Sequence, residues 1–127
     1  MIGYVTIGTN DLDRAAGFYD EVLGLLGAER MMPLPRGILW GVGLGQPMVG
    51  VTRPFDGEAS TIGNGMMIAL FAKSPEIVDQ VHAKALALGG QDEGAPGPRG
   101  DTGFYGGYFR DLDGNKLNCF CMRSPAS

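Results

Sequence analysis

The sequence predicts an α+β domain built from two copies of a βαβββ unit. Three observations carry this. Structural punctuation repeats when the chain is slid by 63 residues, so that Tyr4 falls on Met67, Asp11 on Ser74 and Gly27 on Gly90. Each half holds one amphipathic helix pattern, and each helix is followed only by short strand-like runs.

In the first half, Tyr4-Val5-Thr6-Ile7 alternates as a strand does. Asn10 or Asp11 is placed to cap a helix, because a short polar side chain there accepts from an otherwise orphaned N–H. Leu12, Ala15, Ala16, Tyr19, Val22, Leu23 and Leu26 then recur at helical spacing, and Gly27 suits the left-handed position after the last turn. In the second half the strand is 66–71 and the cap is Ser74. Pro75 stands where its missing N–H costs nothing, and Gly89-Gly90 end the helix. Strands follow at 38–43 and 47–51 around Gly45-Gln46, and at 104–110 and 116–122 around Asp113-Gly114. The stretch 95–100 reads as a loop over the sheet edge, and 124–127 as a frayed end. The first module takes in about 1–55, the connection 56–64, and the second module about 65–123, all within one domain.

A chain of 127 residues has the size of one domain, and burying roughly two-thirds of its unfolded surface gives it a real core. Net charge is −4 with no basic run, which argues against nucleic acid and anionic membrane as partners. No apolar run approaches the roughly 18 residues of a membrane span, and no signal-peptide pattern opens the chain. Cys119 and Cys121 share a strand face at a spacing poor for a mutual disulfide, so they read as small core residues in a reducing cytoplasm.

Several strings carry a resemblance over essentially the whole chain. They are 10–19 (Asn-Asp-Leu-Asp-Arg-Ala-Ala-Gly-Phe-Tyr), Val22-Leu23-Gly24, 65–70, 94–97, and 109–118 around Asp111-Leu112-Asp113-Gly114. With two βαβββ units, they resemble the vicinal oxygen chelate superfamily of glyoxalases, bleomycin-resistance proteins and extradiol dioxygenases. The resemblance implies a curved mixed sheet around a cleft. Function varies widely on this fold, from isomerases and dioxygenases to drug binders without catalysis.

Metal-dependent relatives hold a divalent ion in the cleft, where it grips substrate oxygens as a Lewis acid. The resemblance places three ligand positions on Tyr4, Met67 and Asn118, and a fourth on 48–51, which carries no suitable donor. A neutral phenol, a thioether and a neutral amide are poor ligands for hard or borderline divalent ions. No metal and no cofactor are expected. His82 belongs on the second helix, at the edge of its apolar stripe and far from the cleft.

Alternation then assigns faces. With Tyr4, Met67 and Asn118 in the cleft, Thr6, Ala69, Phe71, Phe120 and Met122 follow them, while Val5, Ile7, Ile68, Leu70, Leu117, Cys119 and Cys121 turn to the helices. Trp40, Met48 and Tyr105 or Tyr108 are candidates for the wall. The expected ligand site is therefore Tyr4, Thr6, Trp40, Met48, Met67, Tyr105, Asn118 and Phe120. It would take a small apolar or aromatic molecule between the modules, and Asn118 would sit in a wet pocket where its loss leaves the fold intact. The alternative is a metal-dependent lyase, isomerase or dioxygenase with shifted ligands. Arg99, Asp101 and Arg110 stand as candidates for the cleft mouth, Asp111 and Asp113 as turn formers, and 94–100 as a turn-rich loop rather than a phosphate cradle. Exposed sheet edges and an open face lead to the expectation of a two-fold homodimer.

Overall fold

The computed structural model describes residues 1–123, and the expected fraying of 124–127 lies outside them. Capping decides where both helices start. Asp11 holds an extended backbone and its side chain accepts from the Arg14 N–H, opening α1, Leu12–Gly24. Ser74 does the same for the Ile77 N–H and, with Pro75 in the first turn, opens α2, Pro75–Ala87. Both helices have 13 residues, and both are stopped by glycines in the left-handed region, Gly27 at φ 83° and Gly89 at φ 104°.

The strands are β1 Tyr4–Gly8, β2 Glu29–Leu34, β3 Gly37–Gly41, β4 Met48–Thr52, β5 Ile68–Phe71, β6 Gln91–Pro98, β7 Phe104–Arg110 and β8 Lys116–Met122. They form two four-stranded mixed sheets of matching order, β1-β4-β3-β2 and β5-β8-β7-β6. In each, the first strand of the module lies parallel to its last, and the other pairings are antiparallel. The α+β fold of two βαβββ modules is thus present.

Two strands lie outside the runs read from the sequence. β2 and β6 contain Pro33, Gly94, Pro96 and Pro98, which break alternation. Both are edge strands with register shifts, where a residue without an N–H is tolerated. The stretch 95–100, expected as a loop, supplies the end of β6.

One core joins both modules. Ile7, Trp40, Val51, Leu70, Leu117, Cys119 and Cys121 turn from the sheets toward Tyr19, Val22, Val78 and Val81 of the helices. Full burial of a residue such as Leu117 is worth about 1.5–3 kcal/mol. The β7–β8 turn is clamped to the start of α1. Asp111, 5 % exposed, accepts from the Tyr19 hydroxyl, from the backbone N–H groups of Asp113 and Asn115, and from Asn115 Nδ2. Asp113 accepts from the Thr9 hydroxyl, the Asn10 N–H and Arg14. These aspartates form the turn, and in doing so they join the modules. His82 differs from the boundary position expected of it. It is buried, its ring edge-to-face with Phe109 at 6.3 Å, with Nε2 3.0 Å from Asp92 Oδ1.

Candidate functional site

The first sheet keeps one face free of helices. Alternation sends Tyr4, Thr6 and Gly8 to that face, and register sets Met48, Gly50 and Thr52 beside them. The connection after β4 folds back over this surface. Asn10 pins it, accepting from the Ser60 N–H at 2.6 Å and donating to the Ser60 carbonyl at 3.2 Å. Farther along, the Arg53 N–H donates to the Arg36 carbonyl at 2.9 Å. Gly8 permits the close approach, since a Cβ there would fall 2.1 Å from Ser60 Oγ.

Between sheet and connection lies a cleft of about 650 Å³. Tyr4, Thr6, Leu34, Arg36, Phe55 and Ser60 are among its walls, and all of its lining comes from residues 4–61. The volume falls in the range of small-molecule sites. A lining that mixes polar groups such as Thr6, Arg36 and Ser60 with apolar surface such as Leu34 and Phe55 can orient a ligand without requiring any reaction of it.

The expected site residues do not share one cleft. Tyr4 and Thr6 line the cleft just described. Trp40, Met48 and Met67 line a separate apolar crevice of about 600 Å³ between the modules. Within it Trp40 is only 1 % exposed and belongs to the helix side, its Nε1 donating to Asp20 of α1 at 3.0 Å. Tyr105 lies on the helix side as well. Its hydroxyl donates to Asp79 of α2 at 2.7 Å, and that hydrogen bond, more than burial, raises its pKa.

Asn118 and Phe120 do occupy the helix-free face of the second sheet, apart from both cavities. Asn118 is 1 % exposed, covered rather than wet, and its Nδ2 donates to the Gly107 carbonyl at 3.1 Å. Phe120 stacks on Phe104 at 5.3 Å and meets Phe71 edge-on at 5.8 Å. On this face the aromatic rings pack on one another, while Phe71 stays 62 % exposed. Arg99 and Arg110 are engaged in their own hairpin, Arg99 by the carbonyls of Ala95 and Gly97, Arg110 by Glu93 and the Gly114 carbonyl.

Sequence reasoning missed Arg36, Phe55 and Ser60. The available signal was the Arg-Pro-Phe-Asp-Gly string at 53–57, read as a plain connection.

The donor set does not fit a divalent metal. Tyr4, Met67 and Asn118 are distributed among three different surroundings, and the Asn118 amide is committed to a backbone carbonyl. Among the described residues no three His, Cys, Asp or Glu side chains gather as a metal would require.

Comparison with known proteins agrees with the architecture. The family model of the Glyoxalase/Bleomycin resistance protein/Dioxygenase superfamily matches residues 1–119. A search of curated proteins finds no match. A glyoxalase/bleomycin resistance protein from Albidiferax ferrireducens is 35 % identical, with 97 % of this chain and 99 % of that chain covered and a TM-score of 0.87. A hypothetical protein from S. aureus is 26 % identical, covering 95 % and 92 % with a TM-score of 0.71. Lactoylglutathione lyase from Agrobacterium tumefaciens shares the fold at 23 % identity, 95 % and 92 % coverage and a TM-score of 0.68. Sequence, topology and these likenesses agree, and the chain belongs to the Glyoxalase/Bleomycin resistance protein/Dioxygenase superfamily.

Proposed function

We propose that the chain binds a small organic molecule in the cleft over the first sheet, without the divalent-metal chemistry of metal-dependent relatives. The observation that carries this is the cleft itself: about 650 Å³, with Tyr4 and Thr6 on the sheet side, Ser60 on the connection, and Leu34 and Phe55 adding apolar surface. Tyr4 is 55 % exposed there, free to meet a ligand. The non-catalytic drug binders of this superfamily are the nearer analogy, offered as analogy only.

Backbone amide chemical shifts on titration with small aromatic and aliphatic fragments test the reading. Shifts should cluster at 4–8, 34–36, 52–56 and 59–61. Shifts confined to the second module, or to the crevice around Met67, would overturn it.

We also propose a two-fold homodimer. Ile2, Val42, Met67 and Phe71 are exposed apolar residues around the intermodule crevice, and β1, β2, β5 and β6 each have an unpaired edge. Light scattering should return twice the 13.4 kDa chain mass. A monomer across micromolar concentrations would refute the pairing. A cytoplasmic setting belongs with this reading, supported by the two buried free thiols. No helix among the described residues is long and apolar enough to cross a membrane.

A further inference from the structure

We infer that the cleft selects an anionic ligand, a small carboxylate with an apolar body, and that Arg36 is the group that recognises its charge. The inference rests on the reading of the cleft as a binding site and names the class of molecule it takes. Arg36 sits in the turn between β2 and β3 and projects over the cleft. Its Nε is buried and lacks a hydrogen-bond partner, the one such side-chain atom among the described residues. A buried donor left unpaired carries a desolvation penalty, so its presence calls for a partner that arrives from outside.

No carboxylate among the described residues lies within ion-pairing distance of this guanidinium, although Asp56 shares its cleft and Glu58 lines the adjoining crevice. The ion pairs among the described residues employ Arg14, Arg30, His82, Lys84 and Arg110, and none includes Arg36. The Phe55 ring lies against it, its centroid 4.9 Å from Cζ, and Phe55 is 87 % exposed on the connection. An aromatic face stabilises a cation but accepts no N–H in its plane, which leaves the fork of donors unused. Arg53 lines the same cleft, against one carboxylate, Asp56. The chain as a whole is at −4, yet this cleft holds two cations to one anion. A planar carboxylate matches the guanidinium fork, while Tyr4, Leu34 and Phe55 offer surface to the apolar remainder.

Matched probes decide the matter: benzoate against benzamide, and hexanoate against hexanamide, titrated into the wild type and into Arg36→Gln, Arg36→Lys and Phe55→Ala by amide chemical shift. Arg36 is half-buried in a turn, and an unchanged spectrum outside the cleft will establish that each variant is folded. Each carboxylate should bind the wild type at least about tenfold more tightly than its amide, about 1.4 kcal/mol. Arg36→Gln should remove the difference, Arg36→Lys should retain part of it, and added salt should weaken carboxylates alone. Phe55→Ala should weaken benzoate more than hexanoate. If acids and amides shift the cleft residues equally, or if Arg36→Gln keeps the preference, the charge inference fails and the cleft reading stands. If no probe shifts the cleft residues at all, both fail together.

Discussion

The Tyr19 hydroxyl donates to Asp111 Oδ2 at 2.5 Å, joining α1 of the first module to the β7–β8 turn of the second across 92 positions of sequence. Tyr19 is fully buried, and burial first, then the nearby Asp111 charge, raises its pKa well above 10.0. Tyr19→Phe strips one donor from a buried carboxylate that keeps three others. The expected loss is about 1–3 kcal/mol in urea unfolding. A raised folded pKa means stability is complete below pH 10 and declines as pH climbs above it. The variant should therefore show a shallower alkaline decline than the wild type. Unchanged midpoints and slopes would mean that the bond contributes nothing to joining the modules.

Asn118 and Leu117 are neighbours on β8 that face opposite sides, yet both are buried, at 1 % and 0 % exposure. Leu117→Ala should cost about 2–5 kcal/mol as a core truncation. Asn118→Ala should cost about 1–3 kcal/mol, because it removes a buried partner of the Gly107 carbonyl. Tyr4→Phe, at a half-exposed position, should stay within about 0.5 kcal/mol. A silent Asn118→Ala would restore the wet pocket that alternation suggested.

What was legible follows from how local each signal is. Helix caps at Asp11 and Ser74, and the inward faces of β1, β5 and β8, depend on residues within one or two turns of chain, and the sequence displays them directly. The outer strands β2 and β6 do not, since Pro33, Gly94 and Pro96 erase the alternation that an edge position tolerates. The burial of Asn118 involves a partner on another strand, the Gly107 carbonyl of β7, and a period of two reports the face but not the cover. The strand that carries Trp40 is legible, but the partner of its N–H is not, because Asp20 lies on another element. Arg36 and Phe55 meet between a turn and a connection, where no periodicity exists to find them.

Cys119 is fully buried, and its thiol is pushed up to about 12 from 9.0 by that burial, with the neighbouring Cys121 adding to it. The sign follows from the thiol being the favoured form in the folded state. Its contribution is whole below pH 9 and is lost as pH rises toward 12. At pH 8 a thiol-reactive chromogen should modify native protein far more slowly than protein in urea, where two thiols should titrate. Prompt native reaction at Cys119 would contradict its burial.

Asp20 gathers three donor groups from two elements, Arg30 Nε at 2.9 Å and its Nη2 at 2.8 Å, and Trp40 Nε1 at 3.0 Å. The Arg30 hydrogen bond leads in holding its carboxyl below 3.8, burial opposes it, and the Trp40 bond assists. A depressed folded pKa gives stability that is present above about 3.8 and lost as pH falls through the folded value. The Asp20 and Arg30 side chains are 41 % and 52 % exposed, so solvent screening limits their pair to about 0–1 kcal/mol. The optical consequence is easier to read than the energetic one. Trp40 is the sole tryptophan, so its fluorescence belongs to one site. Acidification of the folded wild type should produce an emission change with a midpoint below 3.8, as the charged acceptor of the indole N–H is neutralised. Asp20→Asn should abolish that step while moving the urea midpoint only slightly. Persistence of the step in Asp20→Asn, or a midpoint above 3.8, would show that another group governs the indole.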